Sequence, residues 1–338
     1  MTDTSTTRTL AIRRAGPGRA WASGALFAAR RLLGLAGTML LASFVVFGAL
    51  YIAPGSPISF LTQGRSVTPE AIAQLERQYH LDEPFLVQYA RWLGGVLTGD
   101  FGRSIIFNDP VSNLIGQRTS STVLLLIVAT VFVLLIGLTV GLFAGLKPGF
   151  LSESVLTVAT AVMAVPGFVA AVVLMLVFSV QLGWFPTFGA GDPGLDALYH
   201  TLLPAAALSL ASIAFVARLT QSAIRAELRA DHVQTALSRG LAYRFVVRRH
   251  VVRNAAMPVL TVAGLTVAGL IAGSVVIEQI FQLGGVGQLL VSSVQKKDFP
   301  VVQAICLLYV AAFIVLNTLI DLAYSLLDPR VTLGKKAS

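Results

Sequence analysis

Apolar residues in this chain are gathered into long runs rather than alternating with polar ones. Six runs, at residues 32–53, 123–146, 155–180, 201–217, 255–277 and 301–320, contain no Asp, Glu, Lys, Arg or His. A hydrocarbon core of about 30 Å needs roughly 20 apolar residues at about 1.5 Å rise each. The pattern therefore predicts an all-α integral membrane protein with six transmembrane helices. The fourth run is the shortest and contains Pro204, so it is expected to draw length from neighbours such as Tyr199 or Leu219. The first run is too long for the apolar region of a signal peptide, about 7 to 15 residues. The pairs Arg13-Arg14 and Arg30-Arg31 hint at a twin-arginine signal, but five more runs follow, which favours an uncleaved first helix.

Between the runs, the segment 54–118 is too long for a plain hairpin and is expected to fold outside the membrane. Thr68-Pro69-Glu70 has the order of N-cap, first-turn proline and first-turn acid, for a helix continuing through Ile72, Leu75 and Tyr79. Pro84 opens a second helix with Phe85, Leu86, Tyr89, Trp92, Leu93 and Val96 on a broad apolar side. Asp109-Pro110 predicts a third, short helix running to Arg118. These helices suit either the lipid headgroup level, with Tyr89 and Trp92 as interfacial aromatics, or a platform for an external partner. Residues 181–200 are rich in Gly and Pro and predict turns. The cluster Gly284-Gly285-Val286-Gly287 follows a membrane run instead of a strand, so a compact cap or re-entrant structure is expected there in preference to a phosphate cradle.

Composition agrees and narrows the class. Of 338 residues, 55% are hydrophobic and 12% charged, with mean hydropathy +0.78, whereas a soluble domain carries about 25% charged residues. That excludes a water-soluble enzyme and a disordered hub, and the single Cys306 excludes a disulfide scaffold. The net charge of +9 resolves into topology. Of 25 Lys and Arg, 18 lie in the tail up to Arg31, at Lys147, in 218–253 and after Ile320. Basic excess marks the cytoplasmic side, so both termini are expected inside, and nucleic acid binding loses its support.

Chemistry is conspicuous by its placement. An ion-coupled transporter needs ionisable groups at membrane depth, and the six runs hold none; Gln303, Asn317 and the border residues Glu278 and Asp321 are the nearest polar groups. Histidines 80, 200, 232 and 250 are divided between the two sides, which predicts no metal set. Of five lysines only Lys335 follows a glycine, and Lys336 comes next, so there is no phosphate-binding loop for ATP. Active transport by this chain has to draw energy from another polypeptide.

The longest internal loop, 218–253, is patterned. Asp231 is placed to cap a short helix in which Val233, Ala236 and Leu237 form an apolar face on an otherwise basic segment. Gly240 supplies a left-handed stop. A second helix is expected over 243–252, with Asn254 and Pro258 marking entry to the fifth run. Such a helix, glycine, helix unit suits a groove on a partner or, alternatively, an anionic lipid surface.

The stretch from Asp231 through Val233, Gln234, Thr235, Ala236 and Leu237 to Gly240, with Arg249, His250, Arg253, Asn254 and Pro258 after it, resembles the "EAA" loop of binding-protein-dependent ABC importer permeases. The form is that of the dipeptide/oligopeptide branch: Gln234, Thr235 and Ala236 occupy the three positions of the name. Gly99-Asp100-Phe101-Gly102 with Ser104, Pro110-Val111, Arg118 and Thr122 are similar to that family's external segment. Glu278, Ile280-Phe281, Gly285-Val286-Gly287, Lys297-Asp298-Phe299-Pro300 and Asp328-Pro329-Arg330 match its later motifs in order.

The resemblance implies a type I ABC importer permease fold in the bacterial cytoplasmic membrane, importing dipeptides or oligopeptides. Nickel chelates, glutathione or haem-like compounds are alternative cargoes, and a non-transporting membrane scaffold is the alternative of another class. It implies a second homologous permease subunit, two ATPase domains, a substrate-binding protein outside, and ATP and Mg on the ATPases, with no cofactor or catalysis here. Residues Asp231, Val233, Gln234, Thr235, Ala236, Leu237, Gly240, Arg249 and His250 become candidates for coupling to the ATPase; Pro166, Glu278, Gln303 and Asn317 become candidates for the pathway or gate. The expected division is a cytoplasmic tail 1–31, a permease domain 32–327 and a cytoplasmic end 328–338.

Overall fold

A computed structural model describes residues 17–52, 68–70, 73–74, 82–147 and 149–327. Its helices in chain order are α1 Pro17–Ile52, α2 Phe85–Thr98, α3 Val111–Leu146, α4 Phe150–Met163, α5 Gly167–Gln181, α6 Leu195–Leu228, α7 Asp231–Ser238, α8 Tyr243–Phe281, α9 Val286–Gln295 and α10 Phe299–Leu327. No strand pairs with another beyond one isolated bridge, Arg103 to Pro110, among the described residues. Four helices, α3, α6, α8 and α10 from Phe299 to Ile320, are each long and apolar enough to cross a membrane, and the α4–α5 pair qualifies as a bent fifth. Helix α1 contains the shorter apolar stretch Leu33–Ala49.

Helices outrun the apolar runs that announce them, because an α-helix continues into the polar interface as long as no Gly or Pro stops it. The short fourth run becomes a helix of 34 residues, extended at both ends, with Pro204 buried inside it. The expected separate helix from Pro110 to Arg118 is instead the first part of α3. Likewise the helix expected over 243–252 is continuous with the fifth span, through a π-helical turn at Val247–Val251. The third run is not one straight span: after Met163 the chain breaks, Pro166 takes an extended conformation, and α5 leaves at 105° to α4. Proline has no N–H to give the preceding turn, so the bend is located there. Helix α1 begins at Pro17, within the expected tail, while Ile72, Leu75, Tyr79 and Asp328-Pro329-Arg330 lie outside the described residues.

Helix α6 is the central post, packed against α3, α4, α5 and α8. The main core joins Leu125, Val133, Ala171, Leu203, Val216, Ala263 and Phe281 from these helices. In lipid such packing rests on van der Waals contact more than on the hydrophobic effect, which favours small residues at crossings. Gly137, Gly141 and Gly145 make that seam on α3. A Cβ at Gly137 would stand 3.1 Å from that of Val216, one at Gly145 2.7 Å from that of Ile224, and one at Gly141 would strike the backbone of Ala217. Helix α2, opened by Pro84, rests on α1 through Phe44, Phe47, Phe85, Tyr89 and Trp92, and the Ser43 and Tyr89 hydroxyls are hydrogen bonded at 2.8 Å. The aromatics expected at lipid headgroups are thus engaged with the chain itself.

Gly141→Val is expected to destabilise the detergent-solubilised chain by about 2 kcal/mol or more through overpacking. Gly116→Ala, in the same helix but with open space at its Cβ, is expected to change stability by less than about 1 kcal/mol. Thermal exposure of the half-buried Cys306 thiol to a maleimide dye measures both; equal effects would argue against a tight seam.

Candidate functional site

The candidate site begins where α6 ends. Arg229 and Ala230 turn the chain, and α7 starts at Asp231. Asp231 is not the cap expected of it: Ala230 holds that position, and Asp231 is an exposed first-turn acid, favourable beside the positive end of the helix dipole. At the other end the Gly240 N–H donates to Leu237 O at 2.9 Å and the Leu241 N–H to Ala236 O at 3.3 Å. This is a Schellman closure, which needs a left-handed residue at the glycine. Gly240 has φ +79°, and a Cβ there would meet nothing within 4 Å. The requirement is therefore conformational; a side chain would be strained by its own backbone and would block nothing.

The apolar face of α7 does not look outward. Val233 is 0% exposed, and with Ala236 and half-buried Leu237 it closes on Ile224 of α6, Val246, Val251 and Ala255 of α8, and Leu142 and Leu146 of α3. What α7 leaves to solvent is polar: Asp231, Gln234 and Thr235, followed by the exposed Leu241, Tyr243, Phe245 and Arg249. His250 is half-buried, its ring 6.3 Å from those of His232 and Phe245. The two histidines thus meet, and no group of three or more metal-ligating side chains forms among the described residues.

Nearby, α4 is tied to α6. Arg225 pairs with Glu153 at 2.8 Å and donates to the Ser152 hydroxyl at 3.2 Å, while Ser152 donates to Ala144 O at 2.7 Å. Arg218 donates to Thr160 at 2.7 Å. The sequence marks this group only faintly, by an acid, Glu153, one turn into the span after Lys147, opposite basic residues closing the next span.

At the far end of the bundle, Glu278 closes α8 with 0% exposure. Its carboxylate accepts from the Thr122 hydroxyl at 2.8 Å and from the Gly287 and Gln288 N–H groups at 2.7 and 3.2 Å, and Thr122 in turn accepts from the Val286 N–H at 2.8 Å. The glycine cluster is thereby explained. A Cβ on Gly285 would overlap the Glu278 carboxylate, and one on Gly287 would lie 2.7 Å from Val275 Cα. The acceptor at this helix N-terminus is the chain's own Glu278 carboxyl group, in the position a phosphate takes in nucleotide-binding loops. Just beyond the other end of α9, buried Asp298 accepts from the Ser104 hydroxyl and from the Ile105 and Ile106 N–H groups, and Ser104 accepts from the Phe107 N–H at 2.8 Å. Two sequence motifs nearly two hundred positions apart are thereby one contact.

The pathway candidates are dispersed. Pro166 is exposed at the α4–α5 bend, Gln303 half-buried in the first turns of α10, and Asn317 half-buried with its amide donating to Phe313 O at 3.0 Å. No hydrogen bond or ion pair joins any two of Pro166, Glu278, Gln303 and Asn317 among the described residues, and Glu278 has its oxygens engaged within the fold.

Comparison with known proteins adds an independent line. A family model described as "Binding-protein-dependent transport system inner membrane component" matches residues 137–333, and its N-terminal companion matches residues 25–106. The glutathione transport system permease protein GsiC of Salmonella paratyphi A is 36% identical over 303 residues, 89% of this chain and 97% of that protein. A Brucella abortus protein provisionally named a peptide transport system permease is 36% identical over 297 residues, 87% of this chain and 94% of its own. Among solved structures, an inward-facing form of the MetNI methionine ABC transporter, 18% identical, superposes on 64% of this chain and 96% of its own with a TM-score of 0.54, a likeness of fold.

Glu278→Ala is expected to cost about 3 kcal/mol, because it strands two backbone N–H groups and the Thr122 hydroxyl in a buried place. Thr122→Val should cost about 1 to 2 kcal/mol and Thr122→Ser much less. Thermal unfolding, read together with protease cleavage between residues 282 and 300, checks the order; a Glu278→Ala chain as stable as wild type would remove the carboxylate from its central place.

Proposed function

Because this chain belongs to the family of binding-protein-dependent transport system inner membrane components, we propose that it is one of two homologous membrane subunits of a type I importer for short peptides. An external binding protein delivers the peptide, and two ATPase subunits or domains bind ATP and Mg. This chain itself performs no catalysis. Its six crossings are α1, α3, the α4–α5 pair, α6, α8 and α10. The end bearing Lys147 and α7 faces the cytoplasm together with both termini, as the basic excess requires.

The observation that carries the reading is the arrangement of α7. Its apolar side is anchored to the inner ends of α3, α6 and α8, while its polar side is exposed. That is the form of a contact built to transmit force. In this reading Asp231, Gln234, Thr235 and Arg249 meet the ATPase, Val233, Ala236 and Leu237 pass its displacement inward, Gly240 sets the turn, and His250 supports α7 from behind. Pro166, Gln303 and Asn317 remain the candidates for the path, with Pro166 at a hinge between two rigid helices. Glutathione is a specific second cargo, favoured by the Salmonella relative's name; as a tripeptide it belongs to the same chemical class.

Cells carrying and lacking the gene are expected to differ in uptake of labelled dipeptides, tripeptides or glutathione, and a tagged chain is expected to recover an ATPase. Equal uptake of all of these, with no ATPase recovered, would leave a membrane scaffold as the better reading. A left-handed backbone costs a non-glycine residue about 1 to 2 kcal/mol, least for Asn. Gly240→Val should therefore reduce uptake severalfold while Gly240→Asn retains most of it.

A further inference from the structure

Glu227 stands in the last turn of α6, and its Oε1 is a meeting point for three helices. It lies 2.9 Å from His232 Nε2 of α7 and accepts from Asn254 Nδ2, in the fourth turn of α8, at 2.8 Å. His232 Nε2 and Asn254 Nδ2 are themselves 3.3 Å apart. A second tie runs beside it: Gln234 Nε2 donates to Leu228 O at 2.8 Å, satisfying one of the carbonyls that a helix end leaves without a partner.

These contacts differ in kind from the apolar packing beneath them. Val233, Ala236, Val246, Val251 and Ala255 are small and smooth, and contacts of that sort resist separation but permit sliding, being non-directional. Hydrogen bonds fix direction, because they weaken steeply once the donor angle opens. The Glu227–His232 contact is partly exposed, with side-chain exposure of 21% for Glu227 and 47% for His232, so it adds little to folding stability. A cluster that adds little stability and yet joins one short helix to two long ones is suited to hold a relative orientation.

We propose that Glu227, His232 and Asn254 are positioning residues that lock α7 to α6 and α8, so that a displacement of α7 by the ATPase reaches both spans instead of being lost as slip. The inference rests on the reading of α7 as the ATPase contact. It adds that coupling, separately from ATPase binding, depends on one carboxylate outside the motif that resembles the coupling loop.

The test uses the complete importer in proteoliposomes, with peptide import and ATP hydrolysis measured together. Glu227→Ala, His232→Ala and Asn254→Ala are each expected to retain the ATPase on co-purification and to lower peptide imported per ATP hydrolysed by about tenfold, within the range by which residues along a coupling network act. Glu227→Gln keeps an acceptor oxygen and should restore most of the ratio. The double variant Glu227→Ala/His232→Ala should be no worse than either single one, as for residues acting as a unit. An unchanged import ratio in Glu227→Ala would overturn the inference, as would loss of import and of ATPase binding together, which marks a purely structural role. Failure of the wild-type chain to bind any ATPase would instead overturn the reading of α7 beneath it, and this inference with it.

Discussion

A backbone that leaves its helix inside a bundle must have its N–H groups satisfied by the protein, since neither lipid nor a packed interior supplies water. The chain meets that constraint after α8 with a single carboxylate. Glu278 and its partner Thr122 take up the N–H groups of Val286, Gly287 and Gln288, and this allows α9 to form at once in a buried place. Helix α9 then presents Val286 and Leu289 to Val111, Leu114, Val301 and Ile305. From there Asp298 reaches the turn at 104–107. The outer end of the bundle is therefore a chain of dependencies that starts at one side chain.

The inner end is organised differently. There the polar groups are partly wet and no carboxylate among the described residues is enclosed; Arg225 bridges α4 and α6, and an apolar patch under α7 gathers the ends of three helices. The contrast matches the division of labour in an importer. In the proposed reading, one end keeps a fixed shape for whatever arrives from outside, and the other carries a moving contact. The absence of any ATP-binding motif and the family membership give the same account of where the energy originates.

Much of this was legible in the residues, and the failures have physical causes. Uncharged runs locate crossings because the cost of charge in lipid is large, but they place helix ends poorly: at 195, 228 and 111 the helix continues where side chains are already polar. Gly240 was readable because its conformation is local. The direction of the α7 stripe was not, since Val233, Ala236 and Leu237 are equally apolar whether they meet a partner or the same chain. The pairs Thr122 with Glu278 and Ser104 with Asp298 are separated by 156 and 194 positions. Each stood in a recognisable motif, yet nothing in spacing announces that two motifs touch.

The glycine seam between α3 and α6 has a mechanical consequence. With Gly137, Gly141 and Gly145 holding the helices at contact distance, and α7 seated against the inner ends of both, the proposed coupling role of α7 would load the two helices together, at one end. At about 1.5 Å per residue, the 34 residues of α6 make a lever about 51 Å long, so a tilt of about 5° sweeps the far end through about 4 Å. In the proposed importer, a tilt of that size set at the inner surface would thereby carry the far end of α6 through a displacement comparable to the width of a peptide backbone.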